Sequence, residues 1–295
     1  MINIDESVCK ACGICGDVCP RHIPYTVKEG DKKTTFISQE RINLCMECGH
    51  CEAICPNGAI TLETFGNEQF PTVEPLGIDE SQFLELVKQR RSIRRYKNQP
   101  VPRESLNRII QAARYSPTGT GRRTTGVIIL DNPKTLEALS KIVYCNYEKL
   151  GNNLKNPIAR FFIKRKIGLP LFSTLTQFVM PGMHWYLKWN KEGEGNEIFR
   201  DCPALILFHN PILEPMASEN CLIAAFHAIF MAQILGIGSC FNDLIPPICN
   251  RDSEIREMLK LPKDREIYAS ITLGYPKYKF RRSIPKEFVE VRYLE

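Results

Sequence analysis

The 295-residue chain lacks any stretch expected to span a membrane. Its most apolar segment, around 221 to 241, is broken by His227 and Gln233 and falls short of the roughly 20 apolar residues that a bilayer core requires. The start, MINIDESV, has neither a basic region nor a long apolar run, so no secretory leader is expected. No G-x-G-x-x-G follows a strand-like run, so the dinucleotide fingerprint is missing; NAD(P)H as an electron source stays open. No basic stripe interleaved with aromatics is present, and no nucleic-acid partner is expected. The net charge of +6 is mild, but its distribution is uneven, with arginines bunched at 90, 91, 94 and 95, at 122 and 123, and at 281 and 282. Such bunching suits either a solvated surface or an anion site. The 13 cysteines are an odd number, which argues against a disulfide framework and for a reducing cytoplasmic setting.

Eight of those cysteines are concentrated in two short runs. CKACGICGDVCP, residues 9 to 20, and CMECGHCEAICP, residues 45 to 56, both follow C-x2-C-x2-C-x3-C-P. Three thiolates spaced every third residue wrap three corners of one iron–sulfur cube, and the fourth reaches the neighbouring cube. The expected ligand sets are Cys9, Cys12, Cys15 with Cys55, and Cys45, Cys48, Cys51 with Cys19, holding two [4Fe–4S] clusters. A zinc ribbon would use two paired cysteines per half, and each half here has four. Ala11, Gly13, Gly16 and Gly49 let the backbone curl close to sulfide and donate N–H groups to it. Between the halves, YTVKEGDKKTTFI reads as a hairpin turning at Glu29-Gly30-Asp31. A module of this size could hardly fold without its metal.

TFGNEQFPTVEPLG, residues 64 to 77, contains two glycines and two prolines without helical period, and reads as a boundary. We therefore expect a two-cluster ferredoxin-like domain over 1–64, a linker over 65–78, and a second domain over 79–295. In the second domain GVIIL, ALILFH and IYASITLG have strand length, and helical patterns interleave with them. Asp79 or Ser81 caps a helix carrying Phe83, Leu84 and Val87. Leu106, Ile109, Ile110 and Ala113 mark one helix face, and SENCLIAAFHAIFMAQILG is apolar nearly all round, which predicts a buried core helix ending at Gly236. The fold class is α+β.

Four stretches of this domain carry chemistry. RRSIRRY, 90 to 96, alternates Arg90, Ser92 and Arg94 on one side of extended backbone, with Arg91 beside them, and suits either a phosphate or ribityl grip or a solvated basic helix end. SPTGTGRR, 116 to 123, reads by itself as an ordinary turn, though its glycines would also let backbone approach a flat ligand closely. LGIGSCFND, 235 to 243, offers N–H groups from Gly238 and Ser239, with Cys240 read as packing. LGYPKYKFRRS, 273 to 283, carries Lys279, Arg281 and Arg282, which could close on the same anion.

Together these stretches resemble the nitroreductase family of flavin enzymes over about 80 to 295, and the cysteine runs resemble its ferredoxin-fused branch. The resemblance implies non-covalent FMN at a homodimer interface. It implies that Arg90, Ser92 and Arg94 grip phosphate and ribityl, that Pro117, Thr118 and Gly119 lie under the isoalloxazine, that Gly238 and Ser239 sit beside N5, and that Arg281 or Arg282 completes the phosphate site. Gly121 and Arg123 stand where the family has Asn and Gln, so the ring contact is either missing or supplied by Arg123. A charge there would favour the anionic reduced flavin. The implied path runs from reduced ferredoxin or a similar low-potential donor, through the clusters and FMN, to a small electron-poor acceptor: a nitroaromatic, a quinone or an activated C=C. An electron relay or redox sensor serving a protein partner is the alternative. The region 161–189 is expected to be a lid or a packed helical excursion, with Tyr147, His184 and Tyr186 as conceivable proton donors and His227 as a core residue.

Overall fold

The structure, a computed structural model, describes residues 2–66, 70–74, 76–119 and 121–294. The chain divides into two compact units, Met1–Gly77 with Thr118–Arg123, and Ile78–Pro117 with Thr124–Glu295. Residues 67–69 and 75 of the expected linker lie outside the described residues, as does Thr120.

In the first unit β1 (Ile2–Ile4) pairs antiparallel with β4 (Ile60–Leu62), which ties the two ends of the module together. A hairpin of β2 (Pro24–Glu29) and β3 (Lys32–Ile37) turns through Gly30, whose φ of 59° a β-carbon would disfavour. Two single-turn helices, α1 (Ile14–Asp17) and α2 (His50–Ala53), follow left-handed Gly13 and Gly49. Among the described residues its core cluster is Ile2, Ile23, Ile60 and Leu62 with Cys15 and Cys51. So small an apolar core needs support from its cysteines' ligands.

The second unit is built on a four-stranded antiparallel sheet in the order β5 (Gly126–Leu130), β6 (Ala204–Pro211), β8 (Arg265–Gly274), β7 (Gly238–Phe241). Strand β6 is apolar on both faces because both are covered. Ala204, Ile206 and Phe208 pack with α4 (Arg103–Arg114) and α9 (Ala217–Ile234). Leu205 and Leu207 face α5 (Pro133–Lys155), α8 (Met180–Glu192), α10 (Pro246–Arg251) and α11 (Ser253–Met258). Asn132 and Asp252 cap α5 and α11 by accepting from N–H groups of their first turns. Between α5 and α8 lie α6 (Pro157–Ile167), α7 (Leu169–Thr174) and a π-helical turn at Leu175–Val179.

One expectation needs correction here. Helix α9 is not buried all round. Cys221, Ala224, Ala225, Ala228, Ile229 and Ala232 face inward, while Leu222, Phe226 and Ile234 are exposed. The small residues form the packed stripe, because they allow α9 to approach the sheet and α4 closely. The same helix is also long and apolar enough, by length and composition, to cross a membrane, with 44% of it buried inside the fold. A core helix passes the same test, and the inward stripe of α9 is packed against the sheet and α4.

Helix α3 (Glu80–Gln89), capped by Asp79 through the Ser81 N–H at 2.8 Å, has no buried residue. Phe83, Leu84 and Val87 form an exposed apolar face.

Candidate functional site

Two cavities in the first unit are lined by cysteine. One is bounded by Cys9, Cys12, Cys15 and Cys55 with Thr35 and Ile60. The other is bounded by Cys19, Cys45, Cys48 and Cys51 with Ile23 and Leu62. The left-handed glycines ahead of α1 and α2 turn the chain back so that three cysteines of each run face one space. Backbone N–H groups already point at sulfur, from Glu47 to Cys45 at 3.4 Å and from Ala59 to Cys55 at 3.2 Å. Burial pushes the Cys51 thiol up to about 12 and raises Cys15 as well. Ligands must be thiolates, so iron binding there displaces protons from buried thiols.

Among the described residues no three His, Cys, Asp or Glu side chains come close enough to hold a single ion. Tetrahedral zinc would require sulfurs about 3.8 Å apart. A cube with an iron at each liganded corner keeps its four thiolates farther apart. Four cysteines about each cavity are the donor chemistry of an iron–sulfur cube.

The second unit carries a cleft of about 950 Å³, with Arg90, Ile93, Gly238, Ser239, Arg281 and Arg282 in its wall. Seven Lys and Arg side chains face it against one carboxylate, Glu85, which makes it an anion site. Its wall is laced together by backbone. The Ile93 N–H donates to the Ser239 carbonyl at 2.9 Å, Lys97 N–H to the Tyr275 carbonyl at 2.8 Å, and Lys277 N–H to the Arg95 carbonyl at 3.0 Å. Ser92 and Ser239 form a parallel bridge, so the RRSIRRY segment runs beside β7 as an added strand. Partly buried Tyr96 pegs it there, its hydroxyl 2.8 Å from the Ile93 carbonyl and 2.8 Å from Thr272 Oγ1. Burial raises the Tyr96 phenol far above its ordinary range.

Arg90 leaves the end of α3 in extended backbone and contributes to the cleft wall. Arg91 also stands in the wall, but its guanidinium donates to the carbonyls of Lys88, Arg90 and Arg282 at 2.7, 2.6 and 3.1 Å. It latches the C-terminal segment and has few donors left for a ligand. Arg94 is exposed and is not part of the wall. Gly238 and Ser239 lie in a strand and not in a loop. A β-carbon on Gly238 would sit 2.8 Å from Ile93 side-chain carbons, so the close approach of the two segments requires glycine.

Pro117, Thr118, Gly119 and Arg123 do not line this cleft. Thr118–Arg123 groups with the first unit. Arg123 stacks its guanidinium 4.0 Å from the Phe65 ring centre and donates to the Thr64 carbonyl at 3.3 Å.

Sequence reading overlooked Gln233 as a site residue, although it marked this residue as a polar break in α9. Gln233 lines the cleft and donates to the Leu86 carbonyl at 2.8 Å, while its buried Oε1 has no hydrogen-bond partner. Buried acceptors are normally satisfied, so this one is suited to a ligand donor.

The proposed proton donors are not gathered at the cleft. Tyr147 is buried in the core and donates to the Leu244 carbonyl at 2.7 Å, and burial raises its phenol above the ordinary range. His184 is exposed against Trp185, and neither it nor Tyr186 lines the cleft wall. His227 Nδ1 pairs with the Ile223 carbonyl at 3.0 Å, one turn back in its own helix. Cys240 is buried, with Sγ 3.2 Å from the Phe241 carbonyl.

Comparison with known proteins covers both units. Residues 87–275 match the family model described as the nitroreductase family, and residues 8–59 match the model of the 4Fe-4S dicluster domain. An NADH dehydrogenase of Thermus thermophilus is 24% identical over 195 residues, 63% of this chain and 83% of that protein. An uncharacterized ferredoxin of Methanocaldococcus jannaschii is 38% identical over 64 residues, 21% of this chain and 94% of that one. A nitroreductase with bound FMN from Bacteroides fragilis shares the fold at a TM-score of 0.55 and 22% identity, with 74% of this chain and all 100% of that chain aligned.

Proposed function

The chain belongs to the nitroreductase family and carries a 4Fe-4S dicluster domain ahead of it, and from that premise we propose that it is an FMN-dependent oxidoreductase fed by its own iron–sulfur clusters. The observation that carries the reading is one cationic cleft joining Arg90, Gly238, Ser239, Arg281 and Arg282, in a chain that also holds two four-cysteine cavities. When bound, two [4Fe–4S] clusters supply low-potential electrons singly and FMN converts them into the paired form that an organic acceptor takes.

In this reading the protein's own groups bind and orient. Arg90, with Arg281 or Arg282, neutralises the FMN phosphate by charge-assisted hydrogen bonds. Gly238 and Ser239, in the cleft wall, lie beside the ring system, and Ser92 joins them through its bridge to Ser239. Gln233 Oε1 accepts from a ribityl hydroxyl or a ring N–H. Cys9, Cys12, Cys15 and Cys55 hold one cluster, and Cys19, Cys45, Cys48 and Cys51 hold the other. Developing negative charge on an acceptor is stabilised by the surplus of cations around the cleft.

The proposed assembly is a homodimer. Phe83, Leu84 and Val87 on α3, and Leu222, Phe226 and Ile234 on α9, are exposed in the single chain, and an apolar surface of this extent supports burial against a second copy. The donor is reduced ferredoxin or a comparable low-potential protein, acting in the cytoplasm. The acceptor is a nitroaromatic, a quinone or an activated C=C. The test is anaerobic reconstitution with iron, sulfide and FMN. Flavin bleaching by reduced ferredoxin and by NADPH is then followed separately, with each acceptor class added in turn. Rapid bleaching by ferredoxin with reoxidation by one acceptor class supports the reading. Reoxidation by none of them would favour the relay. Failure to retain FMN would remove the reading altogether.

A further inference from the structure

Helices α6 and α7 lie in the second unit, and the cationic cleft makes no use of them: no residue from 157 to 192 stands in its wall. Helix α6 has no buried residue. Ala159, Ile163 and Ile167, each one turn apart, make up its half-buried side. Ile158, Phe161 and Phe162 share another face at the i, i+3 and i+4 positions, and are 71, 61 and 62% exposed. The two rings pack edge to face at 5.6 Å. Gly168, at a φ of 79°, ends the helix. Leu169 and Leu171 follow it, 63 and 64% exposed. A single exposed apolar side chain needs no explanation, but a contiguous group of large ones marks a contact surface.

Charge along the same stretch has one sign. Between Glu148 and Glu192 the chain has eight Lys and Arg and no Asp or Glu. Those two bordering carboxylates pair with Lys191 and Lys188, away from the middle of the run. Lys164, Arg165 and Lys166 fill the last turn of α6, and all three are exposed. At the helical repeat, Lys164 and Lys166 fall on opposite flanks of the face carrying Ile158, Phe161 and Phe162, and Arg165 falls at its C-terminal end. An apolar face flanked by cations suits the interface of an anionic bilayer, where apolar side chains enter the acyl boundary and cations meet lipid phosphate. A second copy seated here by twofold symmetry would set these cations against their own counterparts, which like charge opposes. Nucleic-acid bases would stack on the two rings, but Ile158, Leu169 and Leu171 offer no such platform.

We propose that α6 and the turn into α7 form a peripheral membrane anchor whose partner is the surface of an anionic phospholipid bilayer. Ile158, Phe161 and Phe162, with Leu169 and Leu171, enter the boundary between headgroups and acyl chains. Lys164, Arg165 and Lys166 hold the headgroup phosphates, their stems lying along the apolar face. The helix lies on the bilayer and does not cross it, because its 11 residues are far fewer than the roughly 20 that a span requires. Attachment through exposed cations is reversible and weakened by salt. The proposal asks only for the folded chain, and it stands apart from the cofactor reading of the preceding section.

The test is co-sedimentation of the full-length reconstituted protein with vesicles of phosphatidylcholine alone and of phosphatidylcholine mixed with phosphatidylglycerol. The parent is compared with a Phe161→Ser/Phe162→Ser protein and with a Lys164→Gln/Arg165→Gln/Lys166→Gln protein. All five positions are exposed, so both variants should keep the parent's circular dichroism and melting temperature. The parent is expected to partition onto the mixed vesicles at least tenfold more strongly than onto the neutral ones, and to be released as salt rises. Each variant should lose at least tenfold of that partitioning. Sedimentation velocity without lipid should give the same mass for all three proteins. Absence of the parent from the mixed-vesicle pellet, equal partitioning onto neutral vesicles, or undiminished binding by either variant would overturn the proposal. So would a smaller lipid-free mass for the Phe161→Ser/Phe162→Ser protein, which would assign this face to a second copy of the chain.

Discussion

The Ile93 N–H donates to the Ser239 carbonyl at 2.9 Å. This one bond registers the arginine-bearing segment against β7 and brings Arg90 and Ser239 into the wall of one cleft. The contact needs Gly238, where an added β-carbon would sit 2.8 Å from Ile93. Gly238→Ala should therefore force the segments apart. Overpacking of this kind costs about 1–3 kcal/mol. Chemical denaturation should report that loss, and flavin fluorescence should report weaker FMN binding. An unaltered denaturation midpoint together with unaltered affinity would mean that the segments are not held at this separation.

Gln233 contributes a buried acceptor without a partner to the same cleft. Gln233→Leu fills similar volume and removes the acceptor. A hydrogen bond to a neutral donor is worth about 1 kcal/mol, so FMN affinity should fall roughly fivefold in an equilibrium titration. The lost donation to the Leu86 carbonyl appears separately, as a change in the stability of the flavin-free protein.

Much of the site was legible in the sequence, for reasons that differ by segment. The grouping of the cysteines about two cavities was readable because three of each run recur every third residue and the fourth lies beyond a short turn. The strands GVIIL, ALILFH and IYASITLG were readable because a sheet covered on both faces demands continuous apolar runs. The strand character of Ser239 was not legible, because GSCF is short and small and becomes a strand through pairing such as that of Ser239 with Leu273 in β8. Arg91 read as a ligand contact because a guanidinium's partners are invisible in sequence, and here they are backbone carbonyls, one of them 191 positions away. Arg123 was assigned by alignment to a family pattern, whereas its observed partner, Phe65, lies in the part of the chain that this pattern does not include.

His209 provides a pH signature unrelated to any cofactor. Its half-buried ring accepts at Nδ1 from Arg265 Nε at 2.7 Å, and Gly126 on β5 packs against it. Burial, with the Arg265 charge adding to it, pushes the imidazole down to about 4 from an ordinary 6.5. Between those values the unfolded chain binds a proton that the folded chain refuses, so stability must rise with pH. The stabilisation is complete above pH 6.5 and is lost as pH falls toward 4, by about 2 kcal/mol after allowance for solvent screening of a half-buried ring. His209→Gln keeps an acceptor for Arg265 and should flatten that slope in urea denaturation measured across the window. An equal slope in the variant would place the proton elsewhere.

The central claim is that electrons entering at the cysteines leave through flavin, and an anaerobic reductive titration of the reconstituted protein tests it most directly. Reduced ferredoxin is added stepwise while iron–sulfur and flavin absorbances are followed together. The account predicts that flavin bleaches fully in protein carrying both clusters, and that bleaching by ferredoxin fails when Cys48→Ser removes the second cluster, although a small chemical reductant still bleaches the same flavin. Complete cluster reduction beside a flavin that stays oxidised, or equally fast bleaching in the Cys48→Ser protein, would contradict it.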